Sequence, residues 1–510
     1  MNITLSIAAV ADAEELVTDL LKSSFAINNA DAIDSYKELG LHFKRLKDTC
    51  WLVAESSYVD KVHRDSYYHY YSSKHSLNKR DCARISIFEN EIKEEDFRDV
   101  EKRKEIADKY LGFIILRPTE PFFLGRSVIS PRALKQNNFR VCKSTFESTA
   151  GGVKFRVNGF PHASQDTETM SCAETTLWAM MEYFSTRYAE YRPVLPSRII
   201  QTLNRVSVER QIPSRGLSIP QISYAMREFG FGTRIYARSD FGDEFEKIIS
   251  CYIESGIPVI LAVDNHDDGG NIGHAIICIG RELIEPDMYK SIPPANLDSL
   301  NSTLAQKQKD KKLSLYDFDD LSKEFVFIDD NQPAYSVYTL QNPCLGYADT
   351  DWHKCKVKYA IVPLYKRIHL EAFEAKKYIL SLLLIGPYPL KDNQEVVFRL
   401  YLCSSRSYKD QLTINPSFDN DLKDKIIGSA LPKFIWVLEL TTKDLAQQKK
   451  ANGVILLDAT EANIEMNKPL ILAAFDSSLI EPDYVIGELV RKPLTLPEFS
   501  IYENNLSDAH

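Results

Sequence analysis

Hydrophobic and polar positions change their spacing twice along the chain, and the changes divide it into three regions. In the first, positions 1–148, a short apolar stretch turns acidic by Glu14 and Glu15, which predicts a strand running into a helix rather than a cleaved leader. A Tyr-rich stretch at positions 67–71 follows, then a charged, helix-like run from Glu91 to Tyr110. An apolar strand from Leu111 is stopped by Pro118 and Pro121. In the second region, 149–368, helices come first and apolar strands after them, the order of an α+β unit. Its first helix begins at Cys172 and carries Leu177, Trp178, Met180, Met181, Tyr183 and Phe184 around most of its circumference, so it belongs inside a core. In the third, 369–510, Glu371 to Leu384 alternates charged and apolar groups as a surface helix does. Strand-like runs follow at Val396–Cys403, Phe434–Leu440, Val454–Leu457 and Leu470–Phe475. Both flanking regions read as mixed α/β domains, the last of them rich in strands.

Composition narrows the class. The chain has 510 residues, 44% of them hydrophobic, enough for several buried cores. Nine cysteines with no C-x-x-C pair point to free thiols in a reducing, cytoplasmic setting. The longest apolar run, Tyr378 to Ile385, falls far short of the about 20 residues that cross a bilayer, so no membrane is expected. A formal net charge of −9 argues against a nucleic-acid surface. Histidines and cysteines are nowhere clustered at metal-ligand spacing; Trp352-His353-Lys354-Cys355 lacks further partners. Gly151-Gly152 and Gly269-Gly270 precede no phosphate-loop signature. Neither a metal nor a cofactor is expected.

Chemistry concentrates in the second region. Cys172 stands between a polar loop and the apolar helix, where free backbone N–H groups and the positive end of the helix dipole favour an anionic sulfur. Downstream, a strand at Gly256 to Val263 leads through an Asp/Gly-rich loop to Gly273 and His274, which open a second apolar strand. An imidazole at a strand mouth is placed to act as a base. A third strand, from Glu324, ends in Asp329 and Asp330. A carboxylate there accepts the second imidazole N–H and orients the ring, and the same residues before Asn331 and Pro333 also suit a turn. Between the histidine and these carboxylates, Glu285 to Ser322 is polar and Lys-rich (Gln306 to Lys312), which reads as a solvated insertion that sits clear of the fold or over the cleft.

In order, loop Gln165, helix-start Cys172, the Gly-x-Pro strand, the Gly-His274 strand and the strand-end Asp329 resemble the papain-like cysteine peptidases. The likeness is greatest to the bacterial branch that processes double-glycine leader peptides. Gly216 to Phe231 is similar to the middle helix of that branch. The resemblance covers about 155–365. It implies a papain-like core, helix first with an antiparallel sheet, in which Cys172 is the nucleophile, His274 the general base and acid, and Asp329 the orienting group, with Asp330 as its competitor. It also implies that Gln165 contributes a side-chain N–H to the oxyanion hole beside the backbone N–H of Cys172. The chain departs from the pattern in three places: Gln165 is seven positions before the cysteine where six is usual, Ala173 stands where Gly is common, and the His-to-Asp interval is long.

The expected chemistry is acyl transfer through a thioester. Three functions are consistent with it: a cysteine peptidase acting on peptide or isopeptide bonds of a protein or peptide substrate; transglutaminase- or deamidase-like exchange by the same triad; and a non-catalytic scaffold whose flanking regions bind a protein partner.

Overall fold

Three large, mostly antiparallel sheets and one two-stranded pair, Lys450–Ala451 with Phe499–Ser500, stack with buried helices in the structure, a computed structural model that describes residues 5–75, 78–120, 123–166, 168–213, 216–465, 468–483 and 486–509. The first sheet has the strand order Leu5–Ala9, Cys50–Tyr58, Cys82–Glu89, Tyr110–Leu116, Leu124–Ile129, Val153–His162 and Ser144–Ala150. The expected strand-to-helix start is seen in Leu5–Ala9 and the helix Ala13–Phe25. Tyr110–Leu116 is buried at every position because both faces of the sheet are covered. One face meets the N-terminal helices; the other carries Phe88, Phe97, Ile106 and Phe155. The charged run before it forms only the turn Glu94–Phe97 and the short helix Lys102–Asp108, since Ile92, Phe97 and Ile106 are its sole buried apolar anchors. Pro121, expected to help stop the strand, lies outside the described residues. The sheet runs on to His162, past the composition boundary at 148.

The second sheet has the order Ser336–Tyr338, Phe325–Ile328, Gly273–Glu282, Val259–Asp264, Lys356–Tyr365 and Phe231–Ala237. The helix Cys172–Arg187 lies between this sheet and the Ser144–Ala150/Val153–His162 hairpin of the first, also touching the helices Pro196–Leu203 and Ile219–Glu228. It is packed from several sides, which accounts for its apolar circumference: Ala173 through Phe184 are all buried.

Short cross-connections lock the sheets together. Phe139–Val141, from the N-terminal region, pairs with the far end of Gly273–Glu282 and with Ser507–Asp508 near the C-terminus. The crossing demands glycine at 280, where a Cβ would collide with the Arg140 carbonyl.

In two places the tertiary structure corrects the sequence reading. The Lys-rich segment 285–322 is neither a solvated excursion nor a flap over the cleft. Its Ser314–Asp317 strand pairs in parallel with Glu395–Ser404 and forms the edge of the third sheet, and Leu304, Leu313, Leu315 and Phe318 are buried. Of the helix Ser302–Asp310 only Leu304 and Ala305 are buried, an apolar face narrow enough to be outvoted in composition. The helix Ala372–Leu384 is likewise an internal element, with Ala375, Ile379, Leu380 and Leu383 buried among the helix Glu244–Glu254, the helix Ser302–Asp310 and the Glu395–Ser404 strand. Its Lys376 is also buried, paired with Asp317 (2.8 Å) and Asp319 (2.9 Å). That ammonium was legible as a surface charge only because its partners are some sixty residues away.

The remaining strands of the third sheet follow in the order Phe434–Thr441, Gly453–Asp458, Leu470–Phe475, Ser478–Asp483 and Glu488–Pro493, so all four strand-like runs of the C-terminal region are strands. No helix among the described residues is long and apolar enough to cross a membrane.

Candidate active site

Cys172 is the first residue of its helix. Ser171 takes the extended N-cap conformation, and Glu174 closes a capping box by accepting the Ser171 backbone N–H at 3.2 Å. The loop leading in is held on both sides. Asp166 accepts the backbone N–H groups of Glu168, Thr169 and Met170 (3.1, 2.7 and 2.7 Å), and the Arg117 guanidinium donates to the Ser164 and Gln165 carbonyls (2.7 and 2.6 Å). Cys172 is therefore fixed in position while its side chain stays partly open; the other eight cysteines are buried.

His274 is the second residue of Gly273–Glu282, opposite Val263. On its other side that strand pairs with Phe325–Ile328, the last rung being Ile277 against Ile328. Where the two strands part, His274 and Asp329 meet, 55 positions apart in the chain: Nε2 lies 2.9 Å from Asp329 Oδ1. The Cys172 thiol is close enough to the imidazole to contribute to its raised pKa. With Nε2 turned to the carboxylate, Nδ1 is the nitrogen left for the thiol.

Asp329 is well satisfied. Oδ1 accepts the Asn331 backbone N–H (3.0 Å), Oδ2 accepts the Tyr347 hydroxyl (2.8 Å), and its carbonyl lies 2.9 Å from His162 Nε2. Burial acts to raise its pKa, yet the His274 charge and these hydrogen bonds outweigh it and hold the carboxyl below its ordinary range. For His274 burial works toward neutrality, but Asp329, the thiol and Asp330 together carry the imidazole well above its ordinary pKa.

Asp330 is buried like its neighbour but differs in its hydrogen bonds. It is 8% exposed, neither carboxylate oxygen has a hydrogen-bond partner, and Oδ1 stands 3.4 Å from His274 Nε2. Burial, reinforced by the Asp329 charge and opposed by His274, pushes its carboxyl up to about 7. Of the two aspartates, Asp329 is the one bonded to the ring; Asp330 is the more distant and the harder to ionise.

Gln165 reaches the same corner. Its Nε2 donates to Asn331 Oδ1 at 3.1 Å, so the amide is tied to the turn that follows Asp329. Three residues at the site carry no motif that sequence spacing reveals: Asn331, Tyr347 and Trp352. The Trp352 ring meets His274 edge to face (5.2 Å, 85°), and Tyr347 stacks on Trp352 at 4.1 Å. The His353 ring, read earlier beside Trp352 as a metal half-pair, is bonded instead to the Tyr347 carbonyl at 2.7 Å. Two aromatics within a polar turn-rich stretch were the available signal, since apolar rings in a loop need something to cover.

The arrangement offers a partly exposed sulfur at a helix N-terminus, an imidazole shielded from water, and a carboxylate behind it. Among the described residues, His274, Asp329 and Asp330 also form a group whose donor atoms lie within 4.8 Å of one another, the spacing of metal ligands. No protein-family model matches the chain, and no curated protein is similar to it in sequence.

Proposed function

We propose that the protein is a papain-like cysteine hydrolase that cleaves peptide or isopeptide bonds in a protein or peptide substrate. The observation that carries this reading is the His274 imidazole bonded to the Asp329 carboxylate at 2.9 Å, with the partly exposed Cys172 thiol beside it at the start of a buried helix. A helix-start cysteine, a histidine at a strand mouth and a carboxylate at the next strand's end in one sheet support the papain-like core as its frame.

In the reaction, His274 takes the Cys172 proton and the sulfur attacks the substrate carbonyl carbon. The carbonyl electron pair moves onto oxygen, which the Cys172 backbone N–H stabilises together with a Gln165 side-chain N–H. As the intermediate collapses, His274 gives its proton to the departing amine and a thioester is left on Cys172. Water then attacks the thioester with His274 as base, releasing the acid and restoring the thiol. Asp329 orients the ring throughout, and the Trp352–Tyr347 pair keeps water off the His–Asp bond.

The test is an electrophilic peptidyl probe, with mass mapping, beside a library of unstructured peptides. Wild-type protein is expected to be labelled at Cys172 and to cut peptides. Cys172→Ala abolishes both, and His274→Ala lowers turnover by about 10³-fold or more. An amine conjugate in place of a cut product reassigns the site to acyl exchange. Absence of both labelling and turnover sinks the hydrolase reading in favour of a binding scaffold.

A further inference from the structure

Asp330 has no place in that reaction, yet it is buried beside the His274 imidazole, its Oδ1 3.4 Å from Nε2, and neither of its oxygens receives a hydrogen bond. Leaving a carboxylate in this state is costly, and buried carboxylates ordinarily pair with a cation or coordinate a metal. The distances around it are those of a coordination sphere. With metal–ligand bonds of about 2.0–2.1 Å, two ligands of one ion stand about 2.9 Å apart in octahedral geometry and about 3.3 Å apart in tetrahedral. His274 Nε2 lies 2.9 Å from Asp329 Oδ1 and 3.4 Å from Asp330 Oδ1. A neutral imidazole and two carboxylates balance the charge of one divalent ion. No hydrogen bond reaches either Asp330 oxygen, so its one close charged neighbour among the printed contacts is the His274 imidazole.

We infer that His274, Asp329 and Asp330 form a binding site for a divalent transition-metal ion of the Zn²⁺ class. The ion takes the place of the proton on Nε2, which is released to solvent, so the metal-bound form replaces the Nε2–H···Asp329 bond that orients the ring in the hydrolytic cycle. One imidazole nitrogen with carboxylate oxygens suits Zn²⁺ and Co²⁺ better than the hard ions Ca²⁺ and Mg²⁺, which prefer all-oxygen shells. Tyr347, bonded to Asp329 Oδ2, orients that ligand from outside. The group contains no cysteine, so the nucleophile is left out of the coordination sphere. Sequence spacing conceals the site because the histidine precedes the aspartates by more than fifty positions.

The experiment titrates metal-stripped full-length protein with ZnCl₂ by calorimetry, with MgCl₂ as control. One Zn²⁺ per chain is expected, with Asp330→Asn weakening binding at least tenfold and Cys172→Ala leaving it unchanged. X-ray absorption of the wild-type zinc complex is expected to give a nitrogen/oxygen shell with imidazole scattering, and it serves should Asp330→Asn fail to fold. A sulfur shell near 2.3 Å, Asp330→Asn binding like wild type, or no Zn²⁺ binding overturns the site. Cys172→Ala separates this inference from the hydrolase reading, since it removes hydrolysis and spares the ion.

Discussion

Accessibility divides the nine cysteines one against eight, and that division makes the first prediction. Burial pushes the Cys50 thiol up to about 11 and the Cys142 thiol up to about 12, and Cys251 and Cys278 lie well above their ordinary range for the same reason. Iodoacetamide at neutral pH is therefore expected to modify Cys172 before any other cysteine, and peptide mass mapping at partial labelling checks it. Uniform modification of the native protein refutes an activated thiol. Asp330 makes the second. Its folded-state pKa, about 7, is above the ordinary 3.8, so between these values the folded protein keeps a proton that the unfolded chain has released, and stability falls as pH rises. Asparagine cannot ionise. Asp330→Asn is thus expected to be more stable than wild type at pH 8.5, by on the order of 2 kcal/mol, with the advantage gone near pH 4. Urea denaturation in EDTA at the two pH values measures it, and a pH-independent difference refutes it.

At the scale of elements, the joints between sheets carry buried charge and close backbone contact. Lys376 neutralises Asp317 and Asp319 where the helix Ala372–Leu384 meets the segment 285–322. Lys376→Ala leaves two buried carboxylates without their cation and is expected to cost about 3–5 kcal/mol, read from the shift in denaturation midpoint. Replacement by methionine together with Asp317→Asn and Asp319→Asn is expected to recover much of it. Gly280 tests the other kind of joint. Gly280→Ala places a methyl group against the Arg140 carbonyl and forces Phe139–Val141 away from its partner strand. Loss of amide protection at positions 139–141 in hydrogen exchange is the expected sign; unchanged protection contradicts the crossing.

For the molecule as a whole, the three regions of the sequence are not three independent bodies. The buried network of Glu254, Arg281, Arg399 and Glu439 joins the second sheet to the third: Arg399 bonds Glu254 (2.9 Å) and Glu439 (2.9 Å), while Arg281 bonds the same Glu254. Arg140 reaches Glu503 at 3.1 Å, and Arg45 donates to the Tyr335 carbonyl at 2.7 Å, only a few residues beyond Asp329. A fragment of residues 149–368 lacks the edge supplied by Phe139–Val141 and the strand that receives Ser314–Asp317. It is expected to be insoluble or molten when expressed alone, whereas the full chain unfolds in one calorimetric transition. A soluble fragment with sharp amide dispersion in NMR contradicts this.

Local patterning by itself determined the elements that bury an unmistakable face: the Cys172 helix, the Gly273 and Glu324 strands and the four C-terminal strands announce themselves in runs of apolar residues. Chain order also singled out Cys172, His274 and Asp329, because each stands at the end of such an element, where a side chain is held by regular backbone yet not enclosed by it. Only the tertiary structure decided what depends on distant partners. It chose Asp329 over Asp330, since the difference lies in hydrogen bonds from Asn331 and Tyr347. It brought Trp352 onto the imidazole, turned a Lys-rich insertion into a sheet edge, and left Asp330 without a hydrogen bond. Hydrophobic periodicity records whether a residue is buried; the identity of its neighbour is settled by packing between segments that the chain keeps far apart, and charge is where that distinction costs most.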